Sequence, residues 1–238
     1  MSRKMNWKSW VILGLAVAVL VTSGTLVMAS NMGFKINKQI YNKFQATGPQ
    51  GSPKNLNWIS LPYSSPYNNM KTLCTAMGTT SGGVIIYQLN PSTGVGSSYA
   101  CGGAIAPVID PLKGVRITNT GTGAPTNAVL VGASDEAKNL PTILGGFVLG
   151  QSPKKENWIS VPYHTTWVKA EDVCVTLGIL AGQGSVIRIN GDPASGTNTI
   201  THPCGNTTVS NFSIVIGEAV DIRKTAAGDV VGKLPPHF

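Results

Sequence analysis

Asn57-Trp58-Ile59-Ser60-Leu61-Pro62-Tyr63 returns as Asn157-Trp158-Ile159-Ser160-Val161-Pro162-Tyr163, identical at six of seven positions and offset by 100 residues. Chance does not produce such a match. The same offset of 100 relates Cys74 to Cys174, Gly78 to Gly178 and Val131-Gly132 to Val231-Gly232, so the register holds along the whole unit. Cys101 answers to Cys204 at an offset of 103, as small insertions in surface loops would cause. The chain therefore reads as a tandem duplication, with repeat 1 over residues 30–138 and repeat 2 over residues 139–238. The joining linker is short, Asp135 to Pro141.

Within each repeat the pattern is the same. The β-branched and aromatic run from Trp58 to Leu61 predicts a strand, which Pro62 ends because proline cannot donate to a sheet ladder. A short helix follows, with Met70, Leu73, Cys74 and Met77 at i, i+3, i+4 and i+7, as are Ala170, Val173, Cys174 and Leu177. Gly78 and Gly178 stop these helices in the left-handed conformation that glycine tolerates. Val84 to Leu89 and Val186 to Ile189 predict further strands, each followed by a turn of Asn, Pro and Gly. Gly114 to Ile117 and Val129 to Val131 match Glu218 to Ile222 and Val230-Val231. Ile143 to Leu149 is expected to open repeat 2 as its first strand, Gly146-Phe147-Val148 answering Gly33-Phe34-Lys35. The expected class is all-β with one short helix per repeat, each repeat a small antiparallel sandwich or barrel.

The first 29 residues predict export. Arg3, Lys4 and Lys8 precede an apolar run from Trp10 to Met28, which ends in Val27-Met28-Ala29, a small-residue exit that signal peptidase accepts. The competing reading is an uncleaved membrane anchor, against which Thr22, Ser23, Gly24 and Thr25 break the second half of the run. Cleavage leaves 15 basic against 10 acidic residues, a mildly basic charge of +5. Lys35, Lys38, Lys43 and Lys54 are spaced out without interleaved aromatics, so they read as a solvated face and not as a nucleic-acid patch. An acidic cell-envelope polysaccharide is the more natural counter-charge. The expected location is extracellular, on the cell surface or periplasmic.

Four cysteines in an exported chain are most simply two disulfides. Three pairings exist. The duplication selects Cys74–Cys101 and Cys174–Cys204, because each repeat must be able to close itself. A metal site would want closely spaced ligands, yet there is no Cys-x-x-Cys, and His164, His202 and His237 are scattered. Only His202 neighbours a cysteine, and repeat 1 has Tyr99 in its place. No cofactor is expected.

The sequence carries no Gly-x-Ser-x-Gly elbow, His-Glu-x-x-His helix, phosphate loop or dinucleotide fingerprint, so a non-enzymatic role is expected. Glu171-Asp172 sits in the first turn of the second helix, where negative charge suits the helix dipole. Aromatics are the remaining surface candidates. Trp58 and Trp158 are expected in the core, whereas Tyr63 and Tyr163 end their strands and fit either role. Tyr67 and Trp167, in the loop just beyond, are the ligand-facing candidates, by stacking on a sugar or packing on a partner, with partial capping of the core as the competing reading. Asn206-Thr207-Thr208 and Asn211-Phe212-Ser213 fit the glycosylation pattern and stay unassigned.

The two Asn-Trp-Ile-Ser-Leu/Val-Pro-Tyr stretches resemble the opening strand of a recurring β-rich repeat domain in secreted and surface proteins of bacteria. Ile216-Gly217-Glu218-Ala219-Val220-Asp221-Ile222 resembles a later Pro-Gly-Glu-Ala-Tyr stretch of that family, from which Leu112-Lys113-Gly114-Val115 departs. Such domains mostly lack an assigned activity, so the resemblance implies export and β architecture without catalytic residues. Two functions follow as expectations: a self-associating or envelope-attached structural protein, and a carbohydrate-binding module whose duplication would raise avidity. A hydrolase ranks third.

Overall fold

Residues 33–45, 55–79, 83–122, 125–135, 137–189 and 199–233 are described by a computed structural model. The expected signal peptide and Lys54 lie outside them. Among the described residues no helix is long and apolar enough to cross a membrane.

Burial alternates along β1 (Phe34–Ile40), whose inner positions Phe34, Ile36, Lys38 and Ile40 are half-buried or buried and whose outer ones are exposed. The chain then forms β2 (Asn57–Ile59), α1 (Met70–Ala76), β3 (Val84–Leu89), β4 (Gly96–Ala100), β5 (Val115–Asn119) and β6 (Thr126–Gly132). Four strands assemble in the order β2-β5-β3-β4, while β1 pairs antiparallel with β6 as a separate ribbon. The second half forms β7 (Asn157–Ser160), α2 (Ala170–Leu177), β8 (Gly184–Ile189), β9 (Thr199–Pro203) and β10 (Ala219–Lys224), in the sheet order β7-β10-β8-β9. Every pairing within these sheets is antiparallel, and both four-stranded sheets run from edge to edge without closing into barrels. The class is all-β.

Each helix covers one sheet because its apolar stripe has nowhere else to go. Met70, Leu73, Cys74 and Met77 are buried against Ile59, Ile86 and Ile117, and Ala170, Val173, Cys174 and Leu177 against Ile159, Val186 and Ile222. The helix starts are secured differently. Asn69 accepts the Thr72 N–H at 2.9 Å, whereas Asp172 accepts the N–H groups of Val168 and Lys169, each at 2.8 Å. Gly178 ends α2 at φ 66°, the left-handed conformation that a side chain would disfavour. Cys74 bonds to Cys101 just beyond β4, and Cys174 to Cys204 just beyond β9, so each disulfide ties a helix to the edge strand of its own sheet.

The expected strand over Ile143 to Leu149 is corrected. Only Ile143 and Gly145 make isolated bridges, to Val230 and Lys224, and the equivalence to the start of β1 does not hold. Asn57 clamps the backbone of Tyr41, its Oδ1 accepting the N–H at 2.7 Å and its Nδ2 donating to the carbonyl at 2.9 Å. Asn157 clamps Leu144 in the same way, at 2.7 and 3.1 Å. Residue 144 therefore answers the end of the first strand, not its beginning, and the glycines that suggested the other register lie past the clamp.

Loops of about 30 residues closed by a disulfide restrict the unfolded chain by roughly 3.5 kcal/mol in the chain-entropy account. Replacing Cys74 and Cys101 together by alanine, or Cys174 and Cys204 together, is expected to lower the urea-unfolding free energy by about that amount. A loss below about 1 kcal/mol in both pairs would contradict the assigned role.

Candidate functional site

The repeated heptapeptides meet. The described residues from Phe34 onward form one compact unit, and the two Asn-Trp-Ile-Ser segments lie at the contact between its sheets. Ser60 donates its N–H to the Gly217 carbonyl at 3.0 Å and its hydroxyl to the Glu218 carbonyl at 2.7 Å, and the same oxygen accepts the Val161 N–H at 2.7 Å. Ser160 repeats every part of this: its N–H to Leu112 at 3.0 Å, its hydroxyl to Lys113 at 3.1 Å, and acceptance of the Leu61 N–H at 3.1 Å. Both serines are fully buried. Since a buried backbone N–H without an acceptor costs on the order of 1–3 kcal/mol, each half satisfies edge groups that the other cannot.

The aromatic candidates belong to this seam and to the cores behind it. Tyr63 donates its phenol to the Ser160 carbonyl at 3.1 Å, and Tyr163 donates to the Ser60 carbonyl at 3.2 Å. Burial raises both phenols far above the usual tyrosine range, with Asp110 adding to the effect at Tyr63 and Tyr67 at Tyr163. Tyr67 and Trp167, expected at the surface, are corrected: they are only 5% and 4% exposed. The cause is local. Ser65 and Thr165 accept the N–H two residues ahead, each at 3.1 Å, turning the chain inward after the proline. Tyr67 then accepts the Val131 N–H of β6 at 2.8 Å, and Trp167 donates to Thr176 of α2 at 2.9 Å. All four side chains are buried.

Trp58 and Trp158 pack on each other at 4.4 Å between ring centroids, with Tyr87 against Trp158 at 5.6 Å and the Arg116 guanidinium 4.4 Å above Tyr87. Burial lowers the Arg116 pKa from its ordinary value. Beside this stack lies a charged cluster unheralded by the heptapeptide. Arg223 donates Nε to Asp221 and Nη2 to Glu156, each at 2.7 Å, and Glu156 also holds Ser152 and the Trp158 indole. Asp221 is completely buried, with one carboxylate oxygen lacking a hydrogen-bond partner among the described residues. Burial pushes its pKa up to about 7 against the opposing pull of Arg223, and Glu156 adds to the rise.

Two further places carry concentrated polar groups. An open groove of about 470 Å³ runs beside β4, lined in part by Gln88, Asn90, Thr93, Ser97, Asp110 and Lys113. Gln88 shapes it by bonding the Asp110 backbone at both its N–H and its carbonyl, at 2.9 and 2.8 Å. In the second half, His202 is fully buried, with Nε2 2.7 Å from the Glu171 carboxylate and Nδ1 3.0 Å from the Val209 carbonyl. Glu171 was legible as a helix-start acid and His202 as a neighbour of Cys204; their contact required the fold. No protein-family model, curated protein or solved structure matches this chain.

Ser60→Ala and Ser160→Ala are each expected to cost about 1–3 kcal/mol in urea unfolding. Because both residues serve one seam, the double variant should depart from additivity by about 0.5 kcal/mol or more. For Asp221 the sign is set by the proton it retains. An unfolded aspartate titrates near about 4, so between about 4 and 7 the folded chain holds a proton that the unfolded chain has released. Its contribution to stability therefore falls as pH rises through that window and levels off above it. Melting temperatures between pH 4 and 8 should show Asp221→Asn gaining on the parent as pH rises; parallel curves would refute the assignment.

Proposed function

We propose that this protein is an exported, non-enzymatic structural protein of the cell surface, extracellular space or periplasm, which associates with further copies of itself through a sheet edge. Two disulfides suit an oxidising compartment. The repeated motif is consumed by internal cohesion at the seam, so the outward-facing part of the sheets is where a partner would attach.

The observation that carries this reading is β4. It stands at the edge of its sheet, and its sequence Gly-Ser-Ser-Tyr-Ala contains no charge and no proline. Natural sheet edges are commonly blunted by lysine, proline or a bulge, because a row of unpaired N–H and C=O groups templates another strand. Hydrogen bonds from Asn90 to Val95 and from Cys101 to Val84 set a register in which Ser97 and Tyr99 face β3, leaving the Ser98 backbone pointing outward. Exposed Val95, Ile105 and Val108, at 69%, 90% and 80%, lie in the segments flanking this strand. Apolar side chains there would add to the main-chain bonds of an incoming strand.

A second reading, carbohydrate binding, is favoured by the polar groove alone and no longer by the aromatic pair. Binding of envelope polysaccharide fragments that survives Trp167→Ala in the folded protein but is lost in Asn90→Ala would support it.

Sedimentation velocity over a concentration series tests the first reading. The parent is expected to form concentration-dependent oligomers. Two lysines facing one another across a self-paired edge repel, so Ser98→Lys should weaken association by roughly tenfold or more without changing the melting temperature. A parent that stays monomeric throughout, or a variant that associates equally well, overturns it.

A further inference from the structure

Around the second disulfide stands a set of metal ligands that the first disulfide lacks. Glu171, Cys174 and His202 place a carboxylate oxygen, a sulfur and an imidazole nitrogen all within 4.8 Å of one another, and Cys174 is bonded to Cys204. Ligand atoms around a tetrahedral Zn2+ sit roughly 3–4 Å apart, so these groups need only small movements to share an ion. We propose that reduction of Cys174–Cys204 opens a site for one borderline divalent ion such as Zn2+, held by Cys174, Cys204, His202 and Glu171, and that the ion and the disulfide are alternative locks for the second half of the chain.

The surroundings already suit the ion. The Val209 carbonyl can only accept, so Nδ1 of His202 donates to it at 3.0 Å, which directs Nε2 toward Glu171. A ligating histidine is oriented in this way when its far nitrogen is held by a backbone carbonyl. Glu171 is held in turn by the Gly205 N–H, at 3.1 and 3.0 Å from its two oxygens. In the disulfide form the Nε2···Oε2 contact of 2.7 Å shares a proton, the position a cation would take over. His202 and Cys174 are fully buried, so the ion would be shielded from competing water.

The first half is an internal control. Tyr99 stands opposite Ile86 as His202 stands opposite Val186, and its phenol is committed to the Gly103 carbonyl at 2.6 Å. Lys71 occupies the position that corresponds to Glu171, so among the described residues Cys74–Cys101 has neither the nitrogen nor the carboxylate at these two positions. Softness alone would not separate the two pairs; the neighbours do.

The chemistry balances with a dithiol, or in the laboratory with a phosphine. The phosphine gives two electrons to the S–S bond and becomes its oxide with the oxygen of water, whose two protons go to the sulfurs. Ion binding then releases both thiol protons and the one shared by His202 and Glu171.

The experiment uses the full chain, oxidised or reduced anaerobically with a water-soluble phosphine, and Co2+ as the spectroscopic probe. The reduced protein is expected to bind one Co2+ with a thiolate charge-transfer band, and the oxidised protein none. Replacing Cys74 and Cys101 by serine should leave that band unchanged, whereas His202→Gln should weaken binding by at least about tenfold. If reduction unfolds the second half, Zn2+ should restore the circular-dichroism signal. A reduced chain that stays folded without binding, one that Zn2+ does not restore, a stoichiometry of two, or unaltered affinity in His202→Gln would each overturn the proposal. None of these outcomes bears on association through β4.

Discussion

Two serine hydroxyls hold the architecture in register. Each lies at the end of a short strand where the following proline has stopped the ladder, and each supplies its counterpart's next N–H with the acceptor that the sheet no longer provides. The exchange is reciprocal, Ser60 to Val161 and Ser160 to Leu61, so neither half completes its own backbone bonding alone. The tyrosines extend the same logic three residues beyond the serines, since each phenol bonds the carbonyl of the opposite serine. A pairing of like with like is the geometry of an isologous interface, here formed within one chain.

That constraint explains why the heptapeptide is so closely repeated and why its neighbours are not. Ser60 and Ser160 read backbone carbonyls, of Gly217 and Glu218 on one side and of Leu112 and Lys113 on the other. A carbonyl is available whatever the side chain, so the stretch over residues 112–115 could depart from its counterpart while doing the same work. The freed side chains have diverged in role: Glu218 bridges Lys38 of β1 and Arg188 of β8, while Lys113 pairs locally with Asp110. Gly114 passes so close to Ala219 that an added Cβ would lie 2.6 Å from it, which ties this glycine to the seam.

With the aromatics drawn inward, the proposed functions rest on the differences between the halves. Arg188 stands where Gln88 would be, and Tyr99 where His202 would be, so among the described residues neither the glutamine that shapes the groove nor the Glu171–His202 pair has a counterpart in the other half. A shared scaffold with unshared edges leaves room for the two halves to differ in what they do, which is where the proposed association and the proposed ion site lie.

Much of the fold was legible in the chain. Period-3.6 spacing at Met70, Leu73, Cys74 and Met77 found α1 and its buried face, the β-branched run at Val84 to Leu89 found β3, and the recurring cysteine spacing found both disulfides. These depend on local periodicity and on copy number, which a linear pattern records. The fate of Tyr67 and Trp167 did not, because a hydroxyl two residues upstream turns each ring into the core, and an aromatic in a loop reads the same whether it faces water or a helix. Likewise Asp221 and Arg223 read like any strand residues in the sequence, and only the fold shows Asp221 fully buried with Arg223 and Glu156 around it. By itself the sequence determined the helices, most of the strands, the repeated heptapeptide and the sulfur pairing; only the tertiary structure decided that the repeated motif faces its own copy, since mutual satisfaction of backbone groups is a property of two segments together and of neither alone.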